Sequence, residues 1–327
     1  MSEVSVLMTV YNGMPYLRPA VQSVLEQTHS DFKFVIVNDG SDDDTADYLN
    51  SIDDPRLTVV WQENQGTAKA ANHGLSLIDT PFVARMDADD IALPTRLEKQ
   101  LAFLKSHPEV GIVGAQIAPV GEKGVGQSLG LPVTHDAIFP MMMEGCHGMA
   151  HSVIMIRTKV LKELGGYWSF KMIDDWDMML RVGEVSKLAN LDEVLNHYRV
   201  HSGSLNGKSM WRMYRHIGYA IDRAKRRQAG QPFAEYEEFL AEMNNRPFWQ
   251  RASEWMHVHA MTNYRLAVAD IFGGRRAFGY TRLAYSALCS PKRTLHRLKR
   301  IRDRVKHKDQ LVEEQSAAPA IRIAQRL

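Results

Sequence analysis

The chain has only two cysteines in 327 residues, Cys146 and Cys289. That is too few for a disulfide framework or a thiolate metal centre, so any metal ion would be held by oxygen or nitrogen. There is no run approaching the roughly 18 to 20 apolar residues that span a bilayer. The opening MSEVSVLMTVYNG also lacks the basic start and apolar core of a signal peptide. The expectation is a cytoplasmic chain in a reducing compartment. Neither GxGxxG nor the GxxxxGK phosphate loop follows the first apolar run, which argues against a dinucleotide-binding dehydrogenase and a P-loop enzyme. With 45% hydrophobic and 24% charged residues, disorder and fibres are excluded as well.

What the chain does have is a charge asymmetry hidden by its net +2. Residues 1–207 carry 16 Lys+Arg against 27 Asp+Glu, whereas residues 208–310 carry 22 against 9 and the tail 311–327 is neutral. An acidic half binds a phosphate-bearing ligand only with a divalent cation between them, and a basic half suits an anionic surface. The division read from this is a domain over 1–207, a basic helical region over 208–310 and a disordered tail from 311.

Apolar runs alternate with amphipathic stretches through the acidic half. Val4–Val10 reads as a strand, broken by Tyr11-Asn12-Gly13 before a helix over about 15–27. Phe34–Val37 is a second strand, with Ser41 or an adjacent Asp placed to cap a helix through Asn50. Leu57–Trp61 and Pro81–Met86 are further strands, with Thr67–Leu77 a helix between them. This alternation predicts an α/β, Rossmann-like, mostly parallel sheet flanked by helices. Its strand ends should gather Tyr11, Asn12, Asp39, Asn64, Asp87 and Asp89 on one rim. The Gly-, Pro- and Met-rich stretch from 108 to about 150 reads as a loop cover with short strands. Val153–Ile156 and Glu193–Val200 read as strands, Lys159–Leu164 and Asp175–Val185 as helices.

Three clusters admit chemistry. Asp87-Ala88-Asp89 ends a strand, where side chains two apart share a face and two carboxylates can grip a hard cation; the competing reading is a cap for the helix over about 94–105. Asp174, Asp175 and Asp177 open a helix, either as a solvated terminus or with one carboxylate acting as a general base. Trp176 beside them is either an apolar platform or core. His197, Arg199 and His201 alternate on one strand face, within reach of a cation or phosphate; His147 and His151 carry weaker signals.

Taken in order, SVLMTVYNG, FVIVNDGSDDDT, ENQGTAKAANHGL, VARMDADD, HSVIMIR, GGYW, DDWDMMLR and HYRVHSGS resemble the motifs of family-2 glycosyltransferases of the GT-A fold over roughly residues 3–205. The resemblance implies an inverting transfer from a nucleoside diphosphate sugar, a UDP-sugar in the commonest case, assisted by Mn²⁺ or Mg²⁺. By motif position, Asp39 holds the base or ribose, with Thr9, Tyr11, Asn12 and Asn64 lining the pocket. Asp87 and Ala88 lie near the ribose and donor sugar, Asp89 ligates the metal, and His201 contacts the cation or diphosphate. Asp175 is the base and Trp176 lies beside it, although Asp174-Asp175 replaces the commoner Glu-Asp and leaves Asp174 as the alternative. Lys69 stands where relatives often have Arg. The implied acceptor is a polysaccharide, glycolipid or lipid-linked hydroxyl. Other classes kept open are a nucleotidyltransferase and a catalytically silent nucleotide-sugar-binding module.

In the basic region, Trp249, Trp255, Tyr264 and Phe272 are expected in the core of a helical packing. Residues 292–308 (KRTLHRLKRIRDRVKHK) hold nine Lys+Arg, with Leu295, Leu298, Ile301 and Val305 at helical spacing. That pattern suits peripheral attachment to an anionic membrane over nucleic-acid binding, with an ordinary solvated helix as the bland alternative.

Overall fold

The computed structural model describes residues 2–121, 124–168, 174–200 and 210–291. The first part alternates as the sequence suggests. β1 (Val4–Val10), β2 (Phe32–Asp39), β3 (Leu57–Gln62) and β4 (Phe82–Asp87) are connected through α1 (Leu17–Leu25), α2 (Thr45–Asn50) and α3 (Thr67–Ser76). They pair in parallel in the order β3-β2-β1-β4. Because strand side chains alternate, Leu7, Val35, Val37 and Val83 face α3, while Val6, Met8, Phe34 and Ile36 face α1. Gly74 lets α3 lie directly on the sheet: a Cβ there would come within 2.3 Å of Leu7 Cδ1.

Beyond β4 the chain forms β5 (Ile91–Ala92), α4 (Arg96–Ser106), β6 (Val110–Gly121), β7 (Gly124–Val125), α5 (His135–Met143), a 3-10 turn (His151–Val153), β8 (Met155–Arg157), α6 (Thr158–Glu163), α7 (Asp174–Val185) and β9 (Lys187–Arg199). β8 joins β4 and β6 antiparallel, β6 and β9 run parallel, and β5 closes the far edge against β9.

The stretch expected as a loop cover therefore contains a twelve-residue strand, β6, buried along its first ten residues, and a helix, α5. Gly111 and Gly114 of β6 are close-approach positions. A Cβ at Gly111 would lie 2.0 Å from Ser186 Oγ, and one at Gly114 would lie 2.2 Å from Asn190 Oδ1.

Of the capping expectations, the adjacent Asp is the one realised at α2, and the one for α4 changes. Asp43, not Ser41, accepts from the Thr45 N–H at the start of α2, at 3.0 Å. The residue before α4 is Thr95, so neither Asp89 nor Asp90 caps that helix.

The C-terminal helices are α8 (Met210–Gln228), α9 (Tyr236–Asn244), α10 (Phe248–Phe272) and α11 (Arg276–Cys289). Met210, Met213, Ile217 and Ala220 of α8 enter the same core as Met178, Met179 and Val182 of α7. Arg227 of α8 pairs with Glu184 at 2.8 Å and with Asp177 at 3.5 Å. Two aromatics expected in the core are instead outside: Trp249 is 70% exposed and Trp255 is 50% exposed. Tyr264 is half-buried. The basic run 292–308, its helical expectation and the tail from 311 lie outside the described residues.

Candidate active site

The carboxyl ends of β1, β2 and β4 and the start of α7 converge on one acidic cleft. Its first wall is made by two loops zipped together. Asn12, in the left-handed region at φ 51°, donates its side-chain amide to Asp42 Oδ1 at 2.6 Å. It also accepts from the Asp42 N–H at 2.9 Å. Gly13 and Met14 add N–H bonds to Thr45 Oγ1 and Asp43 Oδ2. The amide of Asn12 is thus engaged by the chain itself, and Tyr11 stands exposed beside it at the rim.

The second wall is organised by Asp39, the last residue of β2 and buried. Its Oδ1 accepts from Gln62 Nε2 at 2.7 Å and from the Gln65 N–H at 2.9 Å, and its Oδ2 accepts from the Gly66 N–H at 2.8 Å. These bonds fold the loop carrying Asn64 over the strand ends and set the start of α3, whose first turn presents Lys69 to solvent. Gly40, at φ +75°, is required there because a Cβ would sit 2.7 Å from the Asn64 backbone nitrogen.

The floor is the end of β4. Thr9 pairs with Asp87 across the β1–β4 ladder. Buried Arg85, two residues back on the same face, donates Nη1 to Leu7 O at 2.9 Å and Nη2 to Thr9 Oγ1 at 2.6 Å, and approaches Asp87 Oδ1 to 3.7 Å. Asp87 ends the strand, so strand alternation does not extend to Asp89; Ala88 and Asp89 form the following turn.

Arg199, at the end of β9, clamps that turn. Its Nε donates to Asp89 O at 2.7 Å while its guanidinium lies over the Tyr16 ring. Asp90, fully buried, accepts from the Arg199 N–H at 2.9 Å and from Asn196 Nδ2 at 2.8 Å. Asp90 therefore holds the turn in place from below, while the side chains of Asp87 and Asp89 remain partly open to the cleft.

The electrostatics tie the cluster together. Burial, with Asp89 and Asp174 adding to it and Arg85 opposing it, pushes the Asp87 carboxyl up to about 6. Burial and then the neighbouring Asp174 push Asp175 up to about 7. Asp174 is raised by burial and relieved by Arg85. Asp89 and Asp174 thus act on Asp87, and Asp174 and Asp87 on Asp175, across one cleft, with the buried guanidiniums of Arg85 and Arg96 opposing at Asp87.

The three aspartates of α7 separate in role. Asp175 is part-exposed, with Oδ1 accepting from the next N–H, that of Trp176, at 2.7 Å. Asp177 is buried in an ion pair with Arg181 at 2.7 Å. Trp176 is core rather than platform, 2% exposed with its ring edge against His147.

His151 matters more than its sequence signal suggests. It is packed 3.2 Å from the Tyr167 hydroxyl, and burial drives its pKa well below the ordinary value. The backbone of Tyr167 is bound in both directions by the side-chain amide of Asn72 on α3, at 2.6 and 2.8 Å. His201 lies outside the described residues.

Residues 5–165 match the model of glycosyl transferase family 2. Among curated relatives, the amylovoran biosynthesis glycosyltransferase AmsE of Erwinia amylovora is 31% identical over 217 residues, 63% of this chain and 80% of that one. The O-antigen biosynthesis glycosyltransferase WbnJ of Escherichia coli is 30% identical over 226 residues, 67% of this chain and 87% of that one. This chain belongs to glycosyl transferase family 2. Among solved structures of the same GT-A fold, residues 1–349 of S. aureus TarS in complex with UDP-GlcNAc superpose with a TM-score of 0.59 at 18% identity, covering 90% of this chain and 92% of that one. The mannosyltransferase PcManGT from Pyrobaculum calidifontis, in complex with GDP-Man and Mn²⁺, gives 0.52 at 16% identity, covering 88% and 86%.

Within this family-2 glycosyltransferase, sequence reasoning passed over Arg85, Asp90, Asn72 and Tyr167 as site-forming residues. A signal for Arg85 was present: a cation inside the apolar strand FVARM has to be paired if buried.

Proposed function

We propose that this glycosyltransferase is an inverting enzyme. It would transfer a sugar from a nucleoside diphosphate donor, a UDP-sugar, to a hydroxyl of a polysaccharide, glycolipid or lipid-linked acceptor of the cell envelope. The observation that carries the reading is the convergence of Asp87, Asp89, Asp174 and Asp175 on one cleft at the strand ends, where Asp89 and Asp174 raise the proton affinity of Asp87, and Asp174 and Asp87 that of Asp175. The relatives that act in amylovoran and O-antigen biosynthesis, and the UDP-GlcNAc complex of a protein with this fold, support the substrate class.

The donor set fits a divalent cation. Carboxylate oxygens are the hard ligands Mn²⁺ or Mg²⁺ takes, and mutual repulsion among these groups is what such an ion relieves. Among the described residues no three His, Cys, Asp or Glu side chains form a ligand group. Asp89, with Asp87 beside it, would hold the ion from the protein side, and a cation there would draw the donor's diphosphate to the cleft. A bound cation supplies charge to offset that developing on the departing diphosphate.

Asp175 takes the proton of the acceptor hydroxyl. The acceptor oxygen then bonds to the anomeric carbon from the face opposite the diphosphate, while the bond from that carbon to the diphosphate oxygen breaks and its electron pair leaves with the nucleoside diphosphate. Arg85 opposes the burial that raises Asp174, and Asp174 in turn raises the proton affinity of Asp175, which favours a proton on Asp175 once the acceptor gives one up. Asp39 and Gly40 hold the Asn64 loop as a wall for the base and ribose, and Lys69 stands on the same rim. The excess of Lys+Arg in 208–310, with nine of them in 292–308, supports peripheral attachment at the inner face of the cytoplasmic membrane.

The test is nucleoside diphosphate release from a panel of nucleotide sugars, with Mn²⁺ or Mg²⁺ and then with chelator. Cation-dependent release from one donor supports the reading. Tight, cation-independent binding of a nucleotide sugar with no turnover on supplied acceptors would sink it in favour of a silent binding module.

A further inference from the structure

The helical hairpin of α10 and α11 carries its large apolar side chains on the outside. Along α10, Phe248, Trp249, Trp255 and Met256 recur at spacings that share one helix face, and all are exposed, Phe248 to 81%. Along α11, Phe278, Tyr285 and Leu288 form a second stripe, with Leu288 80% exposed and Tyr280 exposed beside it.

The residues that join the two helices are small and face inward. Gly279 packs so closely that a Cβ would lie 2.4 Å from Ile271 Cγ1, and Ser286 Oγ donates to Ala260 O at 2.7 Å. The hairpin is thus closed through its small residues, and its aromatic side chains have been left to water. Contiguous surface of this kind marks a binding face.

The charge pattern selects the occupant. The two acidic residues within the hairpin are neutralised internally: Glu254 pairs with Arg246, and buried Asp270 pairs with Arg275 and Arg282. The contact of Ser286 with Ala260 fixes the antiparallel register, so the end of α11 lies beside the turn of α10 that carries Trp255 and Met256. The nine Lys+Arg of 292–308 leave the hairpin at that point. Two copies docked through this face would bring two basic runs together, whereas an anionic lipid surface complements them. Trp and Tyr are the side chains that settle at the headgroup level.

We propose that the outer face of the α10–α11 hairpin is an apolar anchor for an anionic membrane surface, followed in the sequence by the nine Lys+Arg of 292–308. The inference rests on the membrane reading of that basic run and extends it. A basic segment without aromatic anchors binds weakly and is released by salt; a second, apolar signal makes attachment stable.

The experiment is co-sedimentation of the full chain with vesicles of phosphatidylcholine alone or mixed with phosphatidylglycerol. One variant combines Phe278→Ser, Tyr285→Ser and Leu288→Ser; a second combines Lys299→Gln, Arg300→Gln, Arg302→Gln and Arg304→Gln. Donor hydrolysis by both variants checks that the catalytic half is intact.

The wild type is expected to sediment with the anionic vesicles, and the apolar variant to lose about tenfold in partitioning with the remainder released by salt. An apolar variant that partitions like wild type, while the charge variant is released, would overturn the anchor role of the hairpin and leave the basic-run reading standing. Release of neither variant, or absence of wild-type binding, overturns both. A wild-type dimer that the apolar variant dissociates, with vesicle binding unchanged, would assign the face to a second copy instead.

Discussion

Arg85 donates to the Thr9 hydroxyl at 2.6 Å, joining the ends of β1 and β4 directly beneath the acidic cleft. Its guanidinium is 2% exposed and also holds Leu7 O. Arg85→Met should therefore remove the donor to Leu7 O and the Thr9 hydroxyl and the nearest counter-charge of the carboxylates. The expected loss is about 2–4 kcal/mol of stability in a denaturant titration. Arg85→Lys, which keeps the charge without the fork, should recover only part of that loss. A variant as stable as wild type would contradict the role.

Asp89 and Asp175 should fail differently. Asp89→Ala is expected to remove cation-dependent donor binding, measured by calorimetry with and without chelator. Asp175→Asn is expected to keep that binding while transfer falls by about 10²–10⁴, the usual contribution of a general base. Asp174→Asn is the control for the neighbouring acid, since Asp174 is the more deeply buried of the two and the more tightly linked to Arg85. Equal loss of binding and transfer in all three would refute the division of labour.

The raised proton affinity of Asp175, about 7 when folded, carries a stability consequence with a definite sign. An unfolded Asp ionises near 3.9, so between roughly pH 4 and 7 the folded chain holds a proton that the unfolded chain releases. Stability contributed by the protonated group is present below pH 4 and lost as pH rises through 7. In chelator, Asp175→Asn should thus melt with wild type at pH 4 and above it at pH 8, by about 1–2 kcal/mol or a few degrees. The inactive variant being the more stable one is the expected trade-off at a catalytic carboxylate. A difference that does not change with pH would remove the argument. Transfer itself should rise with pH through the same region, because the base must be ionised.

Gly40→Ala tests the wall formed by the Asn64 loop. The substitution meets both a positive φ and a backbone atom 2.7 Å away, so the loop must move. A stability cost of about 1–3 kcal/mol is expected, with weakened nucleotide binding. Nucleotide titration with unchanged affinity would show that the loop does not touch the donor.

The parallel half of the sheet was legible in the sequence because its signals are local: β-branched runs of strand length, each ended by Asn, Asp or Gly. The carboxylates fell at those ends for the same reason. β6 was not legible, since its stretch was read by glycine, proline and methionine content, whereas Gly111 and Gly114 serve close approach to Ser186 and Asn190, more than 70 residues away. Asp90 was misread because a capping pattern is judged from its neighbours, whereas its partners Asn196 and Arg199 arrive from β9. Trp249 and Trp255 were assigned to the core by residue type alone, and type does not distinguish a core aromatic from an outward-facing one.

Asp39 sets limits on how this scaffold can diverge. Three of the chain's own N–H groups already converge on its two oxygens, so the pocket is shaped during folding rather than on arrival of the donor. Little ordering remains to oppose binding. Exchanging Asp39 for another residue would release the loop before it could retune a ligand, so on the proposed reading changes in donor preference come through the exposed positions of the same loop, Asn64 and Gln65, and through Lys69. The buried carboxylate is the fixed jig, and the rim around it is where selection has room to act.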